Sequence, residues 1–128
     1  GWEWHPWGEL VPVAPDFYAT HGNEARAHSG FTAKAMLDKT GTSGIIGHTH
    51  RLGHSIRLVL DGHGDGRLVG WWENGCLADI DKMSWLKGWT DWHLGFSVGT
   101  FIDGAFAIEQ AVVHRSGWFI WGGKVYGL

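Results

Sequence analysis

Residues 43–51 read Ser-Gly-Ile-Ile-Gly-His-Thr-His-Arg, a short apolar run that ends in two closely spaced histidines. A second apolar run, at residues 17–20, ends in His21 in the same way. Short apolar runs of this kind are typical of buried strands. Imidazole side chains therefore follow two candidate strands at the point where each strand ends.

The segment between these two runs predicts a helix. An amphipathic pattern starts at Ser29 or Gly30 and stops near Gly41, which is enough for roughly two to three helical turns. A strand, a helix and a second strand make one βαβ crossover, whose strands pair in parallel when the crossover is right-handed. We expect such a crossover to bring His21 and His48 to the same edge of a sheet.

The rest of the chain reads as antiparallel β-structure. Asp103-Gly104 is a strong signal for a two-residue hairpin turn, and we expect further strands at residues 55–60, 67–73, 95–102, 105–113 and 117–126. The predicted fold class is α+β: a β-rich sheet with one βαβ crossover and carboxy-terminal hairpins. We expect residues 1–128 to form a single domain.

Composition limits the possible partners. The chain has 128 residues, a net charge of −3 and a pI near 6.3, so no general electrostatic attraction to nucleic acid or to an anionic membrane is expected. Cys76 is the single cysteine and no apolar run is long enough to span a membrane. These features predict a cytoplasmic location without a membrane partner, and leave nucleic-acid binding open.

Ten tryptophans and 21 glycines are far above ordinary usage for a chain of this length. The indole rings are either large fillers of a glycine-rich β-sheet core or exposed platforms that stack on sugars or nucleobases. We favour core packing, because several of them alternate along candidate strands. Trp2 and Trp4, for example, alternate with polar residues and predict a short half-buried strand before Pro6.

Several blocks, in their order and spacing, resemble the second half of a calcineurin-like metallophosphoesterase of the compact bacterial or phage type. Gly-His-Thr-His-Arg at 47–51 is the most specific of them. The other blocks that carry the resemblance are 21–22, 28–34, 73–77, 91–96 and 112–126.

The resemblance implies a metal centre and an activity. In that family His21 and His48 would bind one divalent metal, Mn, Fe or Zn, and His50 would bind a second, in a dinuclear site that hydrolyses phosphomonoesters or phosphodiesters. Arg51 could contact a substrate phosphate, although a salt bridge is the favoured interpretation. His28 and His54 could act as outer-shell or proton-transfer groups, although each is more often a plain exposed histidine. The implied fold is half of a four-layer sandwich.

The family's remaining ligand motifs are missing from this sequence. Asp-x-His, Gly-Asp-x-x-Asp and Gly-Asn-His-Asp/Glu segments do not occur in their expected places. The resemblance thus predicts a carboxy-terminal half that lacks a complete catalytic set and is weak or inactive alone. It would act on a phosphate ester only when an amino-terminal half completes the site. An open sheet edge and an exposed apolar face would then favour self-association.

Two other functions remain open. The first is a non-catalytic, Trp-rich binding module for a glycan or a nucleic acid. The second is a folded chain without an activity of its own.

Overall fold

The computed structural model describes residues 1–83, 85–86 and 90–127. That part of the chain is sheet-rich with one α-helix, so the α+β class is confirmed. Its elements are β1 (Val11–Ala14), β2 (Phe17–Thr20), α1 (Phe31–Thr40), β3 (Ser43–Ile46), β4 (Gly53–Leu60), β5 (Gly66–Glu73), a 3₁₀ turn (Ile80–Lys82), β6 (Gly95–Ile102), β7 (Ala105–Val112), β8 (Phe119–Trp121) and β9 (Lys124–Tyr126).

A five-stranded mixed sheet organises the molecule. Its strand order is β1-β2-β3-β5-β4, with β2, β3 and β5 parallel and with antiparallel strands at both edges. The pairs β6-β7 and β8-β9 are separate antiparallel hairpins. Within the described residues, no helix is both long and apolar enough to cross a membrane.

The predicted βαβ crossover is confirmed. β2 pairs in parallel with β3, and α1 connects them. Glycines in the left-handed region flank the helix: Gly30 has φ 82° and Gly41 has φ 64°. The N–H of Gly41 donates to the carbonyl of Leu37, which ends the helix where the sequence predicts.

One face of the sheet packs on α1. Leu37, Ile46, Val69 and Trp71 are all buried in this core. The Trp71 indole N–H donates to Thr40 Oγ1 at 3.0 Å, so the polar atom of this large ring is satisfied at the end of α1. The core-packing interpretation therefore holds for Trp71.

The β6-β7 hairpin covers part of the opposite face. Phe101 and Phe106 each lie with their ring centroid 5.0 Å from that of Phe17. The turn of this hairpin has positive φ at both central residues, 49° at Asp103 and 80° at Gly104, as expected from the Asp-Gly signal.

The outer end of that face carries an uncovered apolar patch, formed by Ile56, Leu58, Leu60 and Leu68. Their exposed fractions run from 48% to 64%. Leu58 and Leu68 are register partners across β4 and β5, so the side chains form one continuous surface. We call this surface the β4 apolar patch.

Two strand predictions are wrong. Trp2 and Trp4 are exposed and lie outside any strand, because alternation alone supplies no neighbouring strand for them to pair with. The predicted last strand at 117–126 is instead a hairpin of β8 and β9, since Gly122 and Gly123 both adopt positive φ and reverse the chain. The sequence also predicts an irregular connection or a short helical turn at 82–91, and part of this segment lies outside the described residues.

Truncation of Leu37 to alanine should lower the free energy of unfolding by about 2–5 kcal/mol, because this fully buried side chain leaves a cavity between α1 and the sheet. Leu68→Ala, in the exposed β4 apolar patch, is the matched control and should change the free energy by less than about 0.5 kcal/mol. Urea denaturation followed by tryptophan fluorescence measures both. Equal losses in the two variants would contradict the assignment of core and surface.

Candidate metal centre

The parallel pairing of β2 with β3 brings His21 and His48 together. Thr20 is in register with Ile46, and the N–H of Gly47 donates to the Thr20 carbonyl at 3.1 Å, which extends the ladder by one residue. The two imidazole rings follow directly, with centroids 5.4 Å apart in an edge-on arrangement. The predicted meeting of His21 and His48 is found in the structure.

The loop that carries the second and third histidines has an unusual backbone. His48 has φ 55° and His50 has φ 54°, both in the left-handed region that non-glycine residues rarely adopt. Thr49 lies between them and is 4% exposed, while the flanking histidines are half-buried. A conformation of this kind persists only where the surrounding structure fixes it.

Glu73, at the end of β5, is hydrogen-bonded to this loop. Its side chain is completely buried. Oε1 accepts hydrogen bonds from the backbone N–H groups of Thr32 (2.9 Å) and Ala33 (3.0 Å), and Oε2 accepts one from Thr49 Oγ1 (3.0 Å). The carboxylate thus supplies acceptors to the first turn of α1, where unpaired N–H groups and the helix dipole favour a negative charge.

The pattern Glu73-Asn74-Gly75 predicts only a turn, so the sequence alone does not indicate this role. The signal it had was an acidic residue directly after the apolar run 68–72. A charge is rarely buried unless it is paired or hydrogen-bonded, so a glutamate at a strand end marks a candidate for such a network.

His50 completes the histidine cluster. Burial, and then the proximity of His21 and His48, hold the pKa of His50 below its ordinary value. Its ring contacts Trp92 with centroids 4.1 Å apart. The Nδ1 atom of His50 is buried and has no hydrogen-bond partner among the described residues. A buried ring nitrogen without a hydrogen-bond partner is a suitable metal ligand in the tautomer that leaves it unprotonated.

His93, for which the sequence favoured no role, holds the far side of the loop. Its backbone N–H donates to the His50 carbonyl at 2.8 Å, and its ring Nδ1 accepts from the N–H of Leu52 at 3.0 Å. The neutral ring therefore carries its proton on Nε2, which lies 3.4 Å from Asp91 Oδ1. His93 is thus hydrogen-bonded to the residues on both sides of Arg51.

Arg51 itself is engaged in structural contacts. Its Nη1 donates to the Arg26 carbonyl at 2.9 Å, and its Nε lies 3.5 Å from Asp91 Oδ2. The second contact is an ion pair by distance but not a hydrogen bond. The buried Nε therefore has no hydrogen-bond partner among the described residues. A phosphate contact by Arg51 stays a prediction.

The other predicted accessory histidines lie apart from the cluster. His28 is exposed and contacts the ring of Phe31, and His54 stacks on Trp72 with centroids 6.3 Å apart. Neither ring pairs with the clustered histidines in the described part of the chain.

Exposed indoles flank the cluster on two sides. Trp7 lies 4.5 Å from His21 and 5.8 Å from His48 between ring centroids, and 64% of it is exposed. On the side of His50, Trp85 is 65% exposed and lies 5.7 Å from Trp92. Core packing does not account for Trp7 and Trp85.

The imidazole side chains of the cluster are of a chemical type that binds divalent metals. Three imidazoles are the number of protein ligands found in many catalytic zinc sites, and imidazole also suits Mn and Fe centres. Among residues 1–83, 85–86 and 90–127, however, no group of three or more His, Cys, Asp or Glu side chains is already arranged around a common metal position. As folded, the site is a histidine cluster rather than a closed ligand cage.

Comparisons with known proteins find phage relatives. The Gene 54 protein of Mycobacterium phage L5 is 35% identical to this chain over 124 residues, and that of Mycobacterium phage D29 is 36% identical over 124 residues. The alignments cover 92% of this chain and 48% of each relative, so the chain spans about half the length of the curated relatives it matches. No protein-family model and no solved structure matches.

Replacement of Glu73 by alanine should destabilise the fold by about 1.5–3 kcal/mol or more, the usual loss for hydrogen bonds to a charged group. The loss arises because three buried donors lose their acceptor. Glu109→Ala, at an exposed position of β7, is the matched control. Thermal unfolding measures the stability, and amide exchange of Thr32 and Ala33 locates the effect. Unchanged protection of these two amides would contradict the capping role.

Proposed function

We propose that this chain contributes the histidine half of a metal-dependent phosphoesterase of the calcineurin-like type. The observation that carries the proposal is the convergence of His21, His48 and His50 at the carboxyl ends of two adjacent parallel strands. One buried imidazole nitrogen there has no hydrogen-bond partner among the described residues. In open sheets with parallel strands, binding sites collect at this edge.

His21, His48 and His50 would hold the divalent metal, which is Mn, Fe or Zn. A bound metal of this kind acts as a Lewis acid, which activates water and offsets negative charge at a phosphate ester. The residues of this chain orient the ligands: the strand ends set His21 and His48, and the Glu73-Thr49 contact sets the loop. Arg51 would contact the phosphate through a donor other than Nη1, which is hydrogen-bonded to the Arg26 carbonyl.

We also propose that the ligand set of the metal site is incomplete in this chain. A catalytic dinuclear site needs carboxylate ligands that bridge the two metals or complete their coordination. Among the described residues, no group of three or more His, Cys, Asp or Glu side chains is arranged to hold a metal. The missing ligands would come from an amino-terminal half, with this chain forming the other half of a four-layer sandwich. The phosphate-ester substrate, self-association through exposed apolar surface, and a cytoplasmic location belong to the same proposal.

Zn²⁺ should bind at these histidines and raise the melting temperature, because a ligand that binds only the folded state stabilises it by about 2.7 kcal/mol at a concentration 100 times Kd. In NMR spectra, the ring Hε1 signals of His21, His48 and His50 should move together during the titration. His48→Asn should abolish the shift in melting temperature. Asparagine tolerates the positive φ at this position, so the substitution removes the ligand without straining the loop.

His63→Asn is the matched control, because this exposed histidine lies in the β4-β5 turn and only its backbone N–H is hydrogen-bonded. It should leave the metal response unchanged. With Mn²⁺, bis-p-nitrophenyl phosphate should be hydrolysed by this chain at no more than the rate with Mn²⁺ alone. Histidine signals that do not change when metal is added would refute the metal site. Hydrolysis faster than with Mn²⁺ alone, if it is lost in His48→Asn, would refute the proposal that the catalytic site is incomplete in this chain.

A second candidate function is a non-catalytic binding module for a nucleic acid or a glycan. The exposed indoles of Trp7 and Trp85 next to the cluster favour it. Aromatic rings with a free face stack on nucleobases and on sugars.

If the module binds single strands, a short oligothymidylate should quench the tryptophan fluorescence saturably, and Trp7→Leu should weaken binding by about 1–3 kcal/mol, the value of one stacked base. Trp118→Leu is the control, because Trp118 also stacks on a histidine, His114, but in the β8-β9 region. A glycan-binding module would respond to an oligosaccharide instead. No saturable quenching by either ligand would exclude the module.

A further inference from the structure

We propose that Glu73, acting through the Thr49 hydroxyl, is the positioning residue for the two histidines of the 48–50 loop. The inference rests on the proposed metal centre for its functional meaning. Its physical content, that one buried carboxylate sets the geometry of His48 and His50, does not require a metal.

The first step is the strain in the loop. His48 and His50 both hold positive φ, with Thr49 between them. Left-handed conformations are energetically unfavourable at non-glycine residues, so an isolated loop of this sequence would relax to other conformations. Something outside the loop must hold it.

The second step is the identity of the anchor. In the loop, Thr49 is the residue whose side chain turns into the protein, and its hydroxyl donates to Glu73 Oε2. With Thr49 only 4% exposed, bulk water has little access to take the place of this bond. The backbone contacts from Thr20 and His93 reach the two ends of the loop at Gly47 and His50.

The third step is the rigidity of the anchor. Glu73 is held from its other oxygen by the first turn of α1, through Thr32 and Ala33. Residue 73 also ends a strand paired with both β3 and β4. The carboxylate therefore has a fixed position relative to the strand end that delivers His48. Partners of metal ligands that are fixed in this way commonly change metal affinity 10–100-fold when removed.

Thr49→Val tests the inference, because it keeps the shape of the side chain and the helix cap but removes the hydroxyl. Thr42→Val is a closely matched control: Thr42 Oγ1 is buried and has no hydrogen-bond partner in the described part of the chain, so the same substitution removes no hydrogen bond seen there. Thr49→Ser restores the hydroxyl and should restore the wild-type behaviour.

In metal-free protein, Thr49→Val should increase amide exchange at residues 48–50 at least tenfold and should shift the ring signals of His48 and His50. Thr42→Val and Thr49→Ser should show neither change. In the presence of Zn²⁺, Thr49→Val should weaken metal binding 10–100-fold at a temperature where all variants are fully folded. Should Thr49→Val not fold, Thr49→Ala carries the same comparison.

Loop exchange and histidine signals in Thr49→Val that match those of Thr42→Val would overturn the inference. This result is independent of the proposed function. If wild-type protein binds no Zn²⁺, the metal centre is refuted, whereas the metal-free measurements still decide whether Glu73 positions the loop.

Discussion

Parallel pairing between β2 and β3 places every element of the candidate site. The four register pairs from Phe17-Ser43 to Thr20-Ile46 bring the two strand ends level, so that the next residues, His21 and Gly47, lie side by side. Parallel strands need a crossover between them, and α1 supplies it while packing on the same strands. The first turn of α1 then lies beside the end of β5, where Glu73 can reach both the helix and the histidine loop.

Six of the ten tryptophans fall into two groups with different physical roles. Trp71 and Trp72 belong to a central strand and are buried between layers, as their alternation along β5 suggests. Trp2, Trp4, Trp7 and Trp85 are exposed. Of these, Trp7 and Trp85 lie against or near the histidine cluster. High tryptophan content thus reflects core packing in one part of the molecule and an aromatic border around the site in another.

Local patterns in the sequence were sufficient for the elements but not for their long-range contacts. The glycines around α1 and the Asp103-Gly104 turn are local signals, and both predictions agree with the structure. Glu73 is bonded to residues that lie between 24 and 41 positions away, and no short window of sequence contains both partners. His93 was missed for the same reason, since its partners at 50 and 52 meet it only after the loop at 91–94 has packed.

The failed predictions have equally specific causes. Alternation of Trp2 and Trp4 satisfies the strand pattern, but among the described residues no strand pairs with residues 2–4, and the main sheet ends at β1. At 117–126 the glycine pair was itself a turn signal, and it outweighed the aromatic content of the flanking residues. The ligand roles of His21, His48 and His50 depend on groups beyond any pattern in this chain and remain predictions.

The two borders of the main sheet differ in what they allow. β1 is only four residues long and contains Pro12, which has no N–H to offer to an incoming strand. β4, on the opposite border, is eight residues long, lacks proline and carries the β4 apolar patch. Strand addition is thus less favourable at β1, whereas among the described residues no strand pairs with the outer edge of β4. A second copy of the chain that docked there would pair its β4 with β4 of the first copy across a twofold axis. The assembly would then be a closed dimer and would not grow into a fibre.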